Sequence, residues 1–458
     1  MDQARLAVKA NLDQYDSSDL ARSSTWQRLQ ANPQTAILTG HTIDTAGDPV
    51  ELYHPAFSAF LQNLKSPDRP DAETNDKFLN YRSNSLWSPL EDINHASMTL
   101  EDLGVLIGET FPGIKKSDKA FESAITEEGG ACCIAIQARH GFGPNGEDPL
   151  VLAALAYAKY WTSRKVKGVF DTSCCPTLIV VAAGPWVCVF GGIFLAQPVV
   201  QRFTDMIQVS HNPSRPDDLG QLVRLFHSIS IATQALRSFY LDSNYSRLDP
   251  STRPFPYCTS YLDHDGHKVD YKYIKRLGSG GKPSTSQVFL AKALDSSNPK
   301  PIVVKFVERY NGQAHRLLAE QDLAPQLLYD GTTHSDGQIG SDYYMIVMDF
   351  VNGIRFDQLP PKLLSKEVTN SIEKALQTLH DADLVFGDLR PLNVMVLRDA
   401  TGTPTNAQLV NFEWCGKHQE GRYPLRISRS FDWVSGVSWG GVMDKGHDIE
   451  MMKKLFSM

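Results

Sequence analysis

The sequence predicts an α+β protein of at least two domains, in which an α/β domain precedes a mixed α+β domain. A chain of 458 residues with 42% hydrophobic and 21% charged residues is typical of about two to three globular domains. Pro and Gly break the uncharged run 172–201 into pieces of strand length, which favours two buried strands over a membrane-spanning helix. Strand-like and helix-like segments then follow one another through the rest of the chain.

Composition divides the chain into four segments. Residues 1–95 are polar and should form only short helices, whereas 96–245 has the pattern of an α/β domain. A stretch rich in Pro, Ser, Tyr and Asp predicts a linker over 246–270, and a second domain is expected over 271–458. The elements expected within 96–245 are strands at 131–137, 178–183 and 186–190 and helices at 149–162 and 217–240.

The charge balance argues against a protein that grips nucleic acid. Lys plus Arg total 45 and Asp plus Glu total 52, which gives a net charge of −7. Of these, 22 basic and 21 acidic residues lie in 271–458, leaving 23 basic and 31 acidic residues before it. Because the acidic excess lies in the first half, that half is a poor electrostatic match to a phosphate backbone.

Cysteine usage and the first residues predict a cytosolic or nuclear protein. The seven cysteines have neither the spacing of a disulfide framework nor a C-x-x-C metal pattern, so we expect reduced thiols. The start of the chain lacks a charged segment followed by an apolar one, so no secretory signal is expected.

A lysine inside an apolar strand is the first indication of a functional site in the second domain. Lys305 lies in the segment 301–307, which otherwise reads as a buried strand. A buried ammonium needs anionic partners, and a nucleotide phosphate together with a carboxylate would supply them. Glu320, in the helix expected over 313–321, is the carboxylate that we expect to pair with Lys305.

Two further segments have the character of a nucleotide site. Gly278, Gly280 and Gly281 would let backbone N–H groups approach a phosphate, although alone such a turn is more typical of a plain hairpin. The apolar segment 343–353 passes through Asp349 into a polar end, as an adenine-binding hinge would. A plain core strand explains that segment equally well.

Polar residues after the helix expected over 369–382 are hard to explain as structure alone. Asp388 and Asn393 stand five apart around a proline, and an apolar strand follows them. This spacing lets a carboxylate meet a substrate hydroxyl while the amide reaches a metal. The next strand ends at Asn411 and Glu413, which would face the same metal.

This ordered set of features resembles the protein-kinase-like fold. More narrowly, four short motifs resemble the fungal-type kinase-like family of mushrooms and their relatives. These motifs are 387–393 (GDLRPLN), 411–416 (NFEWCG), 422–424 (RYP) and 446–448 (GHD). The resemblance implies a bilobal domain, with an N-lobe over about 271–352 and a C-lobe over about 353–458.

The resemblance also implies a reaction. ATP and Mg²⁺ would be the cofactors, and the γ-phosphoryl group would pass to a Ser or Thr hydroxyl of an unidentified protein. The three glycines would cover the nucleotide, and Lys305 would bind the α- and β-phosphates. Asp388 would be the catalytic base and Asn393 a Mg²⁺ ligand.

Departures from the family pattern keep a second function open. Phe386 stands where the family has His, and Asn411 stands where it has the metal-binding Asp. An amide has no charge and binds Mg²⁺ more weakly than a carboxylate, and Glu413 either compensates or is a solvated strand end. The alternative is therefore a pseudokinase scaffold that binds a nucleotide or a protein without turnover.

The same mushroom proteins carry an upstream segment that resembles the restriction-endonuclease core. That core holds Mg²⁺ with an Asp and a strand bearing Glu-x-Lys. Asp118 stands at the first position, but Gln137 replaces the Glu and Arg139 replaces the Lys. The resemblance implies a degenerate endonuclease-like domain, with metal-dependent nuclease activity as a further alternative function.

Overall fold

The computed structural model divides the chain into two compact units, Met1–Cys258 and Thr259–Met458, here called the N-terminal and C-terminal units. The structure describes residues 2–14, 23–40, 47–66, 100–107, 115–116, 121–128, 131–139, 148–163, 167–184, 186–209, 216–242, 249, 251–278, 287–294, 299–334, 337–360, 363–425, 427–428 and 431–457.

A seven-stranded mixed sheet forms the centre of the N-terminal unit. Its strands are β1 (Lys115–Lys116), β2 (Phe121–Glu128), β3 (Ala131–Arg139), β4 (Thr177–Ala183), β5 (Trp186–Phe194), β6 (Pro198–Arg202) and β7 (Ile207–Gln208). They run in the order β1-β2-β3-β4-β5-β6, with β7 also on β5, and only the β3–β4 pair is parallel among the described strands. The uncharged run thus supplies β4 and β5, which are almost wholly buried.

Helices pack against this sheet. They are α1 (Asp2–Leu12), α2 (Ser23–Gln30), α3 (Pro55–Lys65), α4 (Leu100–Ile107), α5 (Pro149–Thr162), α6 (Lys167–Thr172) and α7 (Pro216–Leu241). Helix α5 begins where predicted because Asp148 caps it, accepting the Leu150 N–H at 2.8 Å. It meets the sheet where Trp161 Nε1 donates to Thr177 Oγ1 at 3.0 Å.

The nuclease-like positions are only partly within the described residues. Asp118 lies outside them. Gln137 is buried in β3 with 4% of its surface exposed, and Arg139 is the last residue of that strand. The endonuclease-like identity of this unit stays a prediction.

Two predictions, reduced cysteines and strands instead of a membrane-spanning helix, can be compared with the structure. All seven cysteines are free thiols. Within the described parts of the chain, every helix is too short or too polar to span a lipid bilayer.

The C-terminal unit begins with an antiparallel seven-stranded sheet. Its strands are β8 (Ser260–Leu262), β9 (Lys268–Leu277), β10 (Val288–Ala293), β11 (Pro301–Val307), β12 (Leu327–Asp330), β13 (Gln338–Ile339) and β14 (Tyr343–Asp349). The order is β12-β14-β11-β10-β9-β8, with β13 also on β14. Strand β8 lies inside the expected linker 246–270, because Ser260 pairs with Asp270 in a hairpin that makes this stretch part of the sheet.

Helices and two small sheets make up the rest of this unit. The helices are α8 (Gly312–Ala319), α9 (Lys366–Asp381) and α10 (Lys445–Phe456), and the strands are β15 (Gly353–Arg355), β16 (Leu384–Val385), β17 (Val394–Arg398), β18 (Pro404–Leu409) and β19 (Gly416–Lys417). Helix α9 starts after the N-cap Ser365 and buries Ile372, Leu376 and Leu379 in one core. The mixed helix and sheet content confirms the predicted α+β class.

Candidate functional site

Lys305 lies in the middle of the sheet of the C-terminal unit. In β11 it pairs with Val288 of β10 on one side and with Ile346 of β14 on the other. Val288 also pairs with Leu277, the last residue of β9, so β9 ends, just before Gly278, on the row that holds Lys305. Only 8% of Lys305 is exposed, so its ammonium depends on protein partners.

Those partners are not the ones that the sequence predicts. The Lys305 ammonium donates to Asn411 Oδ1 at 2.6 Å and forms an ion pair with Glu413. Glu320 instead follows the last residue of α8 as its C-cap, with an exposed side chain. The predicted Lys305–Glu320 pair is therefore wrong, because α8 ends before Glu320 can turn toward the sheet.

The loop before β17 holds Asp388 and Asn393 in one fixed arrangement. Asn393 Nδ2 donates to the backbone oxygen of Asp388 at 2.8 Å, and the Asn393 N–H donates to the backbone oxygen of Arg390 at 2.9 Å. Asp388 is fully buried, and burial raises the pKa of its carboxyl group while the bonded Arg390 opposes this. The five-residue spacing thus closes a tight loop around the proline.

Asn411 joins the separate segments at one point. Its Nδ2 lies 3.3 Å from Asn393 Oδ1 and 3.5 Å from Asp388 Oδ2, while its Oδ1 accepts from Lys305. Its backbone φ of 79° is left-handed, a conformation that asparagine adopts more readily than most residues. The structure therefore brings together Lys305, Asp388, Asn393, Asn411 and Glu413, here called the polar cluster.

Arg390 closes over the carboxylate at the centre of the polar cluster. Its Nε and a terminal nitrogen donate to the two oxygens of Asp388 at 2.5 and 2.7 Å. The guanidinium carbon lies 5.3 to 5.8 Å from the ring centroids of Trp414, Phe431 and Trp433. Sequence reasoning missed Arg390, although a cation two residues after a proposed base was a signal for it.

A second buried carboxylate, Asp448 of α10, holds the backbone of the two residues that precede Asp388. It accepts the N–H groups of Phe386 and Gly387 at 2.8 and 2.9 Å and contacts His380 Nε2 at 3.0 Å. Gly387 has a φ of 78°, and a Cβ there would lie 2.3 Å from Met443 Cε. Only glycine fits this turn, which aims Asp388 into the polar cluster.

An aromatic stack supports the segment that carries Asn411 and Glu413. Phe412 between them is fully buried, with the Phe386 ring edge-on at 5.6 Å and the His315 ring parallel to it at 4.6 Å. His315 Nε2 donates to the Pro325 carbonyl at 2.8 Å. Phe386 thus packs against Phe412.

The buried His315 should make the stability of the C-terminal unit fall in acid. Burial lowers the pKa of His315 from 6.5 to about 4, so the folded unit holds the neutral ring. The stability that this contributes is complete above pH 6.5 and is lost as the pH falls from 6.5 through about 4. Urea unfolding between pH 4 and 7 should show a shallower pH dependence in His315→Gln than in the wild type. The exposed control His264→Gln should keep the wild-type slope, and equal slopes in all three proteins would contradict the prediction.

The remaining predicted site residues have mixed placements. Gly278 is exposed and follows β9 directly, whereas Gly280 and Gly281 lie outside the described residues. Asp349 pairs with Ile302, so its side chain projects from the face of the sheet opposite to Lys305. It lines a separate cavity of about 610 Å³, and its predicted part in nucleotide binding stays a prediction.

No protein-family model matches the chain, and neither does any curated protein. Among solved structures, the chain is similar to the kinase PK-1 of Cydia pomonella granulovirus. The two share 17% identity with a TM-score of 0.31, over 41% of this chain and 68% of the viral kinase. The fungal-type resemblance stays a prediction.

Proposed function

We propose that the C-terminal unit is an ATP-dependent phosphotransferase of the protein-kinase-like fold that acts on Ser or Thr hydroxyls. The observation that carries this proposal is the convergence of the polar cluster from β11, from the loop before β17 and from the segment after β18. These three segments are separate in sequence, and the fold brings their polar side chains to one place.

The order of elements supports a nucleotide site. Strand β9 ends beside the row of Lys305, directly before Gly278, and β14 lies next to β11 as the strand that leads to the second half of the unit. Lys305 is a compact cation with three N–H donors, which suits the oxygens of a polyphosphate. With a nucleotide bound, its phosphates would take a share of the donors that now meet Asn411 and Glu413.

The donor set of the polar cluster fits Mg²⁺. Asn393 and Asn411 supply amide oxygens and Glu413 supplies a carboxylate, all of them hard oxygen ligands. These three residues would hold the ion, which would offset negative charge that develops on the phosphates. Glu413 brings the charge that Asn411 lacks, so we assign it the role of the missing aspartate.

Asp388 is the proposed base. Its carboxylate lies within hydrogen-bond range of Asn411 and next to Asn393, and it is fully removed from solvent. It would orient the acceptor hydroxyl and take its proton as the new phosphate ester forms. Lys305 would stabilise the charge that the leaving phosphates carry.

One observation favours a second candidate, a nucleotide-binding scaffold without transfer. The two oxygens of Asp388 are both bonded to Arg390, and three aromatic rings surround the guanidinium. A base held in this way takes no proton until Arg390 moves. A scaffold of this kind should bind Mg-ATP as tightly as a phosphotransferase would, but it should transfer no phosphoryl group.

Thermal unfolding with ATP tests the binding step common to both candidates. At about 100 times its Kd, Mg-ATP should stabilise the unit by about 2.7 kcal/mol and raise its melting temperature by several degrees. The shift should vanish in Lys305→Met and shrink in Glu413→Gln, while Glu320→Gln should behave as the wild type because Glu320 lies outside the polar cluster. A wild type that ATP does not stabilise, with or without Mg²⁺, would contradict both candidates.

A further inference from the structure

A second cleft of about 420 Å³ lies in the C-terminal unit beside the polar cluster. Its walls are the start of α8, the turn after β12 and the segment from Glu413 to Arg422. Three arginines line it, Arg309, Arg316 and Arg422, and we call it the arginine cleft. Arg309 and Arg316 come from the wall at the start of α8 and Arg422 comes from the wall 413–422, so the fold brings Arg422 to the other two.

The carboxylates of the arginine cleft already have partners. Asp330 is buried and pairs with Arg316 at 3.0 Å, and Glu413 pairs with Lys305. A Cβ at position 312 would lie 1.8 Å from Asp330 Oδ2, so glycine at the start of α8 is what lets Asp330 reach Arg316. Among the described residues, Arg309 and Arg422 have no carboxylate at ion-pair distance, and Glu413 and Glu308 act on Arg309 only over longer distances.

The hydrogen bonds of these two guanidinium groups to described residues go to neutral backbone oxygens. Arg309 donates to the backbone oxygen of Arg422 at 3.3 Å, and Arg422 donates to the backbone oxygen of Gly440 at 3.0 Å. Among the described residues, no carboxylate lies within 4.0 Å of either group. Each guanidinium has five N–H donors in a fork that suits a tetrahedral oxyanion.

We propose that the arginine cleft binds a phosphate dianion, separately from the nucleotide site. A phosphomonoester carries about 1.5 to 2 negative charges at neutral pH, which suits two arginines that have no ion pair with a described residue. The N-terminal end of α8 adds a favourable dipole, with Gln313 exposed in its first turn. The dianion is supplied either by a phosphorylated side chain or by free phosphate, and the geometry of the cleft suits both sources.

Calorimetric titration of the full chain tests this proposal. The probes are inorganic phosphate, a short peptide with one phosphoserine, and the same peptide without phosphate. We expect the dianions to bind, with a loss of roughly tenfold in affinity for Arg309→Gln or for Arg422→Gln. Tighter binding of the phosphopeptide would identify a side chain as the source, and equal binding would identify free phosphate.

Further variants make the outcome decisive. Gln313→Glu places a negative charge in the cleft at a helix start that favours it, so binding should weaken without loss of stability. The double variant Lys305→Met/Glu413→Gln removes the cation of the nucleotide site together with the carboxylate that it neutralises, so it should not weaken dianion binding. The exposed control Arg398→Gln should leave binding unchanged. Unchanged affinity in the Arg309→Gln/Arg422→Gln double variant, or loss of binding in Lys305→Met/Glu413→Gln, would overturn the proposal. The second result would place the dianion in the nucleotide site.

Discussion

Replacing Asp388 by asparagine should lower the rate of phosphoryl transfer by about 10²- to 10⁴-fold while Mg-ATP still binds. The amide has nearly the shape of the carboxylate, but it cannot take a proton from the acceptor hydroxyl. Lys305, Asn393 and Glu413, which we expect to hold the nucleotide and its metal, are unchanged. Single-turnover transfer of the γ-phosphoryl group to a Ser/Thr-containing protein measures the rate, and the ATP-dependent thermal shift measures binding.

The control for this substitution is Asp381→Asn on the exposed side of α9. Asp381 accepts a hydrogen bond from Gln377 and lies outside the polar cluster, so its substitution should leave the rate unchanged. A transfer rate in Asp388→Asn equal to that of the wild type would refute the role of Asp388. An ATP-dependent shift without transfer in the wild type would instead favour the nucleotide-binding scaffold.

Replacing Asp448 by alanine should destabilise the C-terminal unit by about 2 to 6 kcal/mol. The substitution leaves two buried N–H groups, those of Phe386 and Gly387, without their acceptor, at about 1 to 3 kcal/mol each. Since a whole domain is stable by only about 5 to 15 kcal/mol, this is a large loss. Asp448→Asn keeps one acceptor oxygen and should cost roughly half as much.

Hydrogen exchange of the full chain measures this loss locally. Protection of the Phe386 and Gly387 amides should fall in Asp448→Ala, whereas peptides of the N-terminal unit should keep their wild-type protection. The matched control is Asp444→Ala, at the start of the same helix, where the lost partners are the helix cap and the Gln419 side chain, both exposed, at about 1 kcal/mol. If the two alanine variants lose equal stability, Asp448 does not hold the backbone before Asp388.

Local elements were predictable because their patterns are short-range. The period of apolar residues predicts β11 at 301–307 with the bounds observed, and Pro149 after Asp148 marks the start of α5. The order of the motifs, through their resemblance to the protein-kinase-like fold, also predicts that Lys305 and Asp388 share one site. In the structure Lys305 bonds to Asn411 and Glu413, Asp388 bonds to Arg390, and Asn411 lies between them.

Pairings between distant segments were not predictable in the same way. Glu320 and Glu413 are both carboxylates near polar segments, and only the end of α8 and the path of the chain after β18 decide which of them meets Lys305. The face of the sheet on which the Asp349 side chain lies depends on the pairing of Asp349 with Ile302. The pattern of apolar residues within either strand does not reveal that pairing. The closure of Arg390 over Asp388 likewise depends on where Trp433 packs.

The amino-acid order alone therefore determined the main strands and helices, the α+β class and the candidates for the polar cluster. These follow from periodicity, turn residues and the cost of burying a charge, all of which act along the chain. Tertiary structure alone decided that Glu413 meets Lys305, that Asp349 faces away, and that Arg309 and Arg422 share a cleft. Each of these depends on packing between segments far apart in sequence, where a shift of one residue in register moves a side chain to the other face.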